Sequence, residues 1–325
     1  MSDRRILLYF AWSRPAETTA PLDVIEDRFP AIFELRRLFY PKFEQFSDRG
    51  TVDQGIGGFL DHIQRPNFQG FTEQAEALTG RKVVQIERIA DDGALTPLSS
   101  ALDGIDTIVV ISFDSLRTDQ AASTAEIEAI HDFLDTPDHL IFVCPHHDIG
   151  EAADSSGEEG AERRRVEYRH HGDHAIPPRQ GFGGFARTLL NGLGVPVENR
   201  FGLRPAAAAD GTPAPVEIDR ALDGLRLLRD VEAFHLHPHL PQLERIGPSK
   251  ERLDVLAKQK IDLTAPTHPF TQAGRSSFDA LLQSRPDVFA GKLLVCDSTM
   301  FSSTAGGLEN LRRFWGNAIR RPKRP

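Results

Sequence analysis

Cysteine is scarce. Cys144 and Cys296 are the only two in 325 residues, which rules out a disulfide framework and makes a reducing compartment the expected setting. Long apolar runs are missing as well, and no stretch approaches the length of a membrane span. The first candidate strand begins at about Arg5, leaving no room for a basic segment, an apolar segment and a cleavage site, so a cytoplasmic protein is expected. Positive charge is in deficit: 38 Lys and Arg against 47 Asp and Glu give a formal net charge of −9. That balance argues against nucleic acid or an anionic membrane as the main partner. The one basic cluster, Arg320-Arg-Pro-Lys-Arg-Pro325, reads as a solvated tail. No internal repeat is visible.

Histidine is abundant in one region. Eleven of the 12 histidines lie between His131 and His268, mostly in tight groups. They sit in a chain long enough to bury a full core without staples.

The element order predicts an α/β protein. A buried strand is expected at Arg5–Phe10, a helix at Phe71–Leu78 and a strand at Lys82–Glu87, the signature of a βαβ unit. Between the first two, about residues 11–70 are too long for an ordinary connection. Phe29, Phe33, Phe39, Phe43 and Phe46 recur there at helical spacings, as expected of an inserted helical layer, a lid or a homo-oligomer surface. Gly55-Ile-Gly-Gly58 resembles a phosphate loop only in its glycine count. A third strand is expected at Thr107–Ser112. Ser123 with Glu126 three residues on forms a capping box, and Ile127, Ile130 and Leu134 stripe the helix that follows. The run Leu140–Val143 has the length of a buried parallel strand, and Pro145, which cannot donate to a ladder, stops it.

Whatever follows is expected on a loop carrying Cys144, His146, His147 and Asp148, at the carboxyl end of a central strand, where open α/β sheets place their sites. Residues about 149–178 turn acidic, then basic, then histidine-rich, with His170, His171, Asp173 and His174, and read as a long loop. A helix is expected at Phe185–Leu193, ending at Gly194. The stretch Val216–Pro269 is the hardest to assign; it suggests a helix near Asp254 and contains His235, His237 and His239. A strand at Lys292–Cys296, ending in Asp297-Ser-Thr299, and a helix at Glu309–Ile319 close a single domain over residues 1–319.

Two phrases carry a resemblance: Thr267-His-Pro-Phe-Thr-Gln-Ala-Gly274 and Gly291-Lys-Leu-Leu-Val-Cys-Asp-Ser-Thr-Met-Phe301, with Glu309-Asn310 and Trp315-Gly-Asn317 beyond. With the element order they resemble the class I glutamine amidotransferase-like superfamily, in a poorly characterised branch distantly similar to the DJ-1/PfpI proteins. The resemblance covers about residues 103–319. It implies a flavodoxin-like parallel sheet with helices on both faces, here with a helical insertion after the first strand, and it places a nucleophilic cysteine at Cys144. Pro145 departs from that pattern, because the amide after the nucleophile normally helps hold the oxyanion and proline has no N–H. Losing one such donor typically costs about 2.7–4 kcal/mol of transition-state stabilisation.

The histidines offer another chemistry. Neutral imidazoles and carboxylates suit zinc, manganese or iron, and a catalytic site needs about three protein ligands and one open position. His146, Asp148, His170, His171, His174 and Asp297 are the candidate ligands for a divalent metal. The leading expectation is therefore a small-molecule hydrolase of amidohydrolase type, metal-assisted, with His146 and His147 as ligand or general base and Asp148 as ligand or orienter. The alternatives are a non-catalytic ligand- or partner-binding module and a DJ-1-like hydrolase using Cys144.

Overall fold

An apolar run without polar alternation can be buried on both faces only inside a sheet covered by helices, and several such runs lie side by side here. The computed structural model describes residues 2–19, 65–112, 120–149, 180–182, 184–199, 201–237, 240–265, 269–303 and 307–323. Within them, β1 (Ile6–Ser13), β2 (Val84–Ile89), β3 (Thr107–Ser112) and β4 (Leu140–Pro145) are joined through α1 (Arg14–Thr19), α2 (Gln69–Thr79) and α3 (Thr124–Leu134). β1, β3 and β4 are buried at every position, whereas β2, at the sheet edge, is mostly part-exposed.

The chain then forms β5 (His147–Ile149), β6 (Gln180–Phe182), α4 (Gly184–Gly192), β7 (Val197–Glu198), β8 (Gly202–Leu203), β9 (Glu217–Ile218), β10 (Leu240–Pro241) and β11 (Glu244–Arg245). It ends with α5 (Ser249–Arg252), β12 (Leu253–Lys260), α6 (Pro269–Gln272), β13 (Ser277–Ser284), β14 (Lys292–Cys296) and α7 (Leu308–Arg320).

Eight strands make the main sheet in the order β2-β1-β3-β4-β14-β13-β12-β9. The first five are parallel and reproduce the flavodoxin-like order, with its reversal between β1 and β3. β13, β12 and β9 extend the sheet antiparallel, so it is mixed rather than purely parallel. Successive side chains on a strand point to opposite faces, and this splits the core in two. On one face Leu8, Phe10, Val109, Phe142 and Leu294 pack with Phe71 of α2 and Phe314 and Trp315 of α7. On the other, Tyr9, Val110, Ile141, Val143 and Val295 pack with Ile130 and Leu134 of α3 and Phe185 and Leu189 of α4. Among the described residues, no helix is long and apolar enough to cross a membrane.

Several boundaries differ from the sequence reading. β1 runs on to Ser13 and α2 starts at Gln69, behind a 3-10 turn at Arg65–Phe68. The phenylalanines of the insertion lie outside the described residues. Asp254 belongs to β12, not to a helix: one turn of helix ends at Arg252, and β12 is held by pairing with β13. β13 itself was not anticipated, because SFDALLQS lacks a β-branched run. The segment after Pro145 is not wholly loop, since β5 pairs antiparallel with β6 and brings residues 147–149 against 180–182. Within the basic tail Arg320, Pro322 and Lys323 are exposed as expected, but Arg321 is not. Arg320 closes α7, and Arg321 is buried, its guanidinium donating to Thr107 Oγ1 and to the carbonyls of Asp106, Asp138 and Ala318.

The capping box does more than start α3. Ser123 Oγ accepts from Glu126 N while Glu126 Oε2 accepts from Ser123 N at 2.9 Å. The same carboxylate is fully buried and takes Arg88 at 3.1 and 3.0 Å and the Leu98 amide at 3.1 Å. Burial alone would raise the Glu126 pKa; the Arg88 hydrogen bonds and the Ser123 and Leu98 amides outweigh it and hold the pKa below its ordinary value. Glu87 is held down in the same way, its burial outweighed by Arg14, Trp12 and Arg65. A depressed folded-state pKa means that the unfolded chain binds the proton more readily, so both groups stabilise the fold above the ordinary glutamate pKa of 4.5. That contribution is lost as pH falls through the depressed values. The thermal midpoint should therefore drop on acidification below about pH 4.5, and Glu126→Gln should flatten the drop; an unchanged acid limb in the variant would count against it.

Candidate functional site

β4 and β14 are parallel neighbours in register, with Val143 beside Val295. One residue further, the two cysteines meet: Cys144 Sγ lies 3.7 Å from Cys296 Sγ, and both are buried. Burial pushes the Cys144 thiol well above its ordinary pKa, and the hydrogen bond and charge of Cys296 and the charge of Asp297 add to the shift. Reactive cysteines are thiolates in electropositive, accessible surroundings, and this environment holds a neutral thiol on a core face. A thiol reagent at neutral pH should label the folded protein slowly and label both cysteines quickly once it unfolds. Rapid labelling of native Cys144 would restore the nucleophile role.

Pro145 is the last residue of β4, opposite Ser112 of β3. The ladder closes one residue later, where His146 N donates to Ser112 O at 2.9 Å. This fixes the His146 backbone at the carboxyl edge of the sheet, with a half-buried side chain. Its Nδ1 lies 3.1 Å from the hydroxyl of Ser298, which follows β14. A hydrogen bond therefore joins the carboxyl ends of the two central strands.

Asp297 has a task within its own turn. It is the N-cap of the 3-10 turn Ser298–Phe301, accepting from Thr299 N at 2.9 Å and from the Thr299 hydroxyl. Thr299 Oγ1 in turn lies 3.1 Å from His235 Nε2, while His235 Nδ1 accepts from His237 N at 3.2 Å. A backbone N–H can only donate, so Nδ1 of His235 carries the lone pair and Nε2 the proton. The direction of the chain follows: His235 Nε2–H donates to Thr299, whose hydroxyl donates to Asp297. Asp297, Thr299 and His235 are all buried, so this relay fixes the turn that presents Ser298. A cavity of about 10 Å³, water-sized, lies against His235, Gln259 and Asp297.

The structure thus brings together His146 and the turn headed by Asp297. The backbones of His147 and Asp148 run in β5 beside β6, and their side chains, with all of His170, His171, His174 and His239, lie outside the described residues. His235 and His237 do not sit on a strand: His235 is buried, His237 is part-buried and their rings are 6.3 Å apart. As for a metal, the two candidate ligands whose side chains are described turn to hydroxyls, His146 to Ser298 and Asp297 to Thr299. Among the described residues, three metal-type ligands cluster only at His131, Asp132 and Asp135, all exposed on α3 and its C-cap. Ser298 and Thr299 were missed as site residues. Asp-Ser-Thr straight after a buried strand carries an N-cap signal, but nothing in the sequence shows which imidazoles meet those hydroxyls.

Compared with known proteins, the chain matches no family profile and no curated protein.

Proposed function

We propose that this protein is a small-molecule hydrolase on an amidotransferase-like scaffold, acting on an acyl compound at the carboxyl ends of β4 and β14 with His146 as general base. The observation that carries the reading is the 3.1 Å contact between His146 Nδ1 and Ser298 Oγ. If Nδ1–H donates to Ser298, the ring is fixed and its lone pair lies on Nε2, the nitrogen that would take a proton from an attacking water. The same nitrogen would then return the proton to the departing amine or alcohol. The buried Asp297–Thr299–His235 relay supports this by holding the Ser298 turn. The strand order and the position of Cys144 at the carboxyl end of β4 support the amidotransferase-like scaffold, whereas burial of Cys144 and the missing N–H of Pro145 speak against the cysteine route.

In the metal-assisted form, zinc, manganese or iron would be held by His146 and Asp297 with Asp148, His170, His171 and His174. Such an ion would supply a water acidified to a pKa of about 7. Elemental analysis of untagged protein, before and after chelation, with a panel of short esters and amides assayed on both samples, tests the two forms. Turnover that survives chelation supports the His146 route, and turnover lost with about one bound metal per chain supports the assisted one. No turnover of any member would leave a ligand- or partner-binding module as the better reading.

A further inference from the structure

The opposite end of the sheet, where β1, β3 and β4 begin, has a charge arrangement that the proposed hydrolase does not use. Arg4, ahead of β1, and Arg321, after α7, are 2% and 5% exposed. Their guanidiniums lie 3.9 and 3.6 Å from the same oxygen, Asp106 Oδ1. Arg4 also pairs with Asp138 through both of its terminal nitrogens. Two arginines against two aspartates make a balanced latch joining the start of β1 to the end of α7. The latch does not account for what stands in front of it. A cavity of about 470 Å³ is lined, among the described residues, by Arg4 and Arg321 together with exposed Arg320 and Lys323, against one acidic residue, Asp3.

Four cations less one carboxylate leave +3 on the lining, in a chain whose formal net charge is −9. Counting Asp106 and Asp138 behind the lining still leaves +1. Burial and, after it, the like charge of Arg4 lower the Arg321 pKa to about 9 against the opposing effect of Asp106 and Asp138. The Lys323–Asp3 pair is exposed on both sides, so it adds little that would resist an incoming anion. Ala77 and Leu78 of α2 supply an apolar stretch of wall. The volume lies within the range of small-molecule sites. A concave, locally positive site on an acidic protein suits a multiply charged small anion rather than a nucleic acid or a membrane surface.

We propose that this cavity binds a small organic polyphosphate, with its phosphates held by Arg320, Lys323 and the Arg4–Arg321 pair and its organic part against Ala77 and Leu78. The site is independent of the hydrolase reading. Its test is calorimetry at low salt with three probes, inorganic pyrophosphate, ATP without magnesium and citrate, on the full chain and on Arg320→Glu/Lys323→Glu, which changes only exposed side chains. Pyrophosphate and ATP should both bind, ATP more tightly, and the double variant should weaken both at least tenfold with an unchanged thermal midpoint. Leu78→Ala, which trims the apolar wall without adding charge, should weaken ATP and leave pyrophosphate unaffected. Absence of binding at millimolar pyrophosphate and ATP would overturn the proposal, and so would equal affinity in the double variant. Citrate binding as tightly as ATP would also overturn it, marking an adventitious ion only.

Discussion

Replacing His146 with alanine should reduce turnover of whichever acyl substrate the panel identifies by about 10²–10⁴-fold, the usual share of a positioned general base, while the thermal midpoint stays within about a degree. The unchanged midpoint is expected because the side chain is half-buried and the backbone bond from His146 N to Ser112 O survives the substitution. A purely structural histidine would show the opposite split, with stability lost and residual activity high. Ser298→Ala sharpens the test. If Ser298 only orients the ring through Nδ1, the variant should retain part of the activity and shift the acid limb of the pH–rate profile. Full activity in His146→Ala would remove the residue on which the proposal stands.

Glu126→Ala should lower the unfolding free energy by about 3–5 kcal/mol, the usual cost of removing one partner of a buried ion pair. The cost is large because the carboxylate serves several groups at once: Arg88 at two oxygens, the Leu98 amide and the N-cap of α3. Removing it leaves Arg88, 7% exposed and stacked over the Phe185 ring at 5.1 Å, as a buried cation without its counter-charge. Urea denaturation gives the number directly. Arg88→Met combined with Glu126→Leu should recover most of the loss, because two apolar side chains of similar volume remove both charges together. A double variant as unstable as Glu126→Ala would show that the amide and cap bonds, rather than the charge pair, carry the stability.

The parts of this fold that were legible in the sequence were those that local chemistry dictates. Ile108–Ile111, Leu140–Val143 and Leu293–Cys296 are unbroken apolar runs, and each became the core of a strand in the parallel part of the sheet. Ser123 and Glu126 mark a helix start by mutual hydrogen bonding three residues apart, and α3 begins there. The antiparallel extension was not legible. β12 and β13 are half-polar, and their strand character comes from pairing with each other and with β14. Tertiary context overrides weak local preference in such segments.

The site divides along the same line. Composition and spacing put Cys144, His146, His147 and Asp148 after the apolar run Leu140–Val143 and made Asp297, after the last strand, one of several candidate ligands. Only the tertiary structure decided what Cys144, His146 and Asp297 meet, because strand register puts Cys144 against Cys296 in the core and carries Ser298, 152 residues away in sequence, to the His146 ring. It also turned Asp297 inward to cap its own turn and drew Arg321 from an apparently solvated tail into a buried latch. The physical reason is common to all four. A residue's type sets which bonds it can make, but the partner and the burial that determine its charge and reactivity arrive from distant segments, and only the folded chain brings them together.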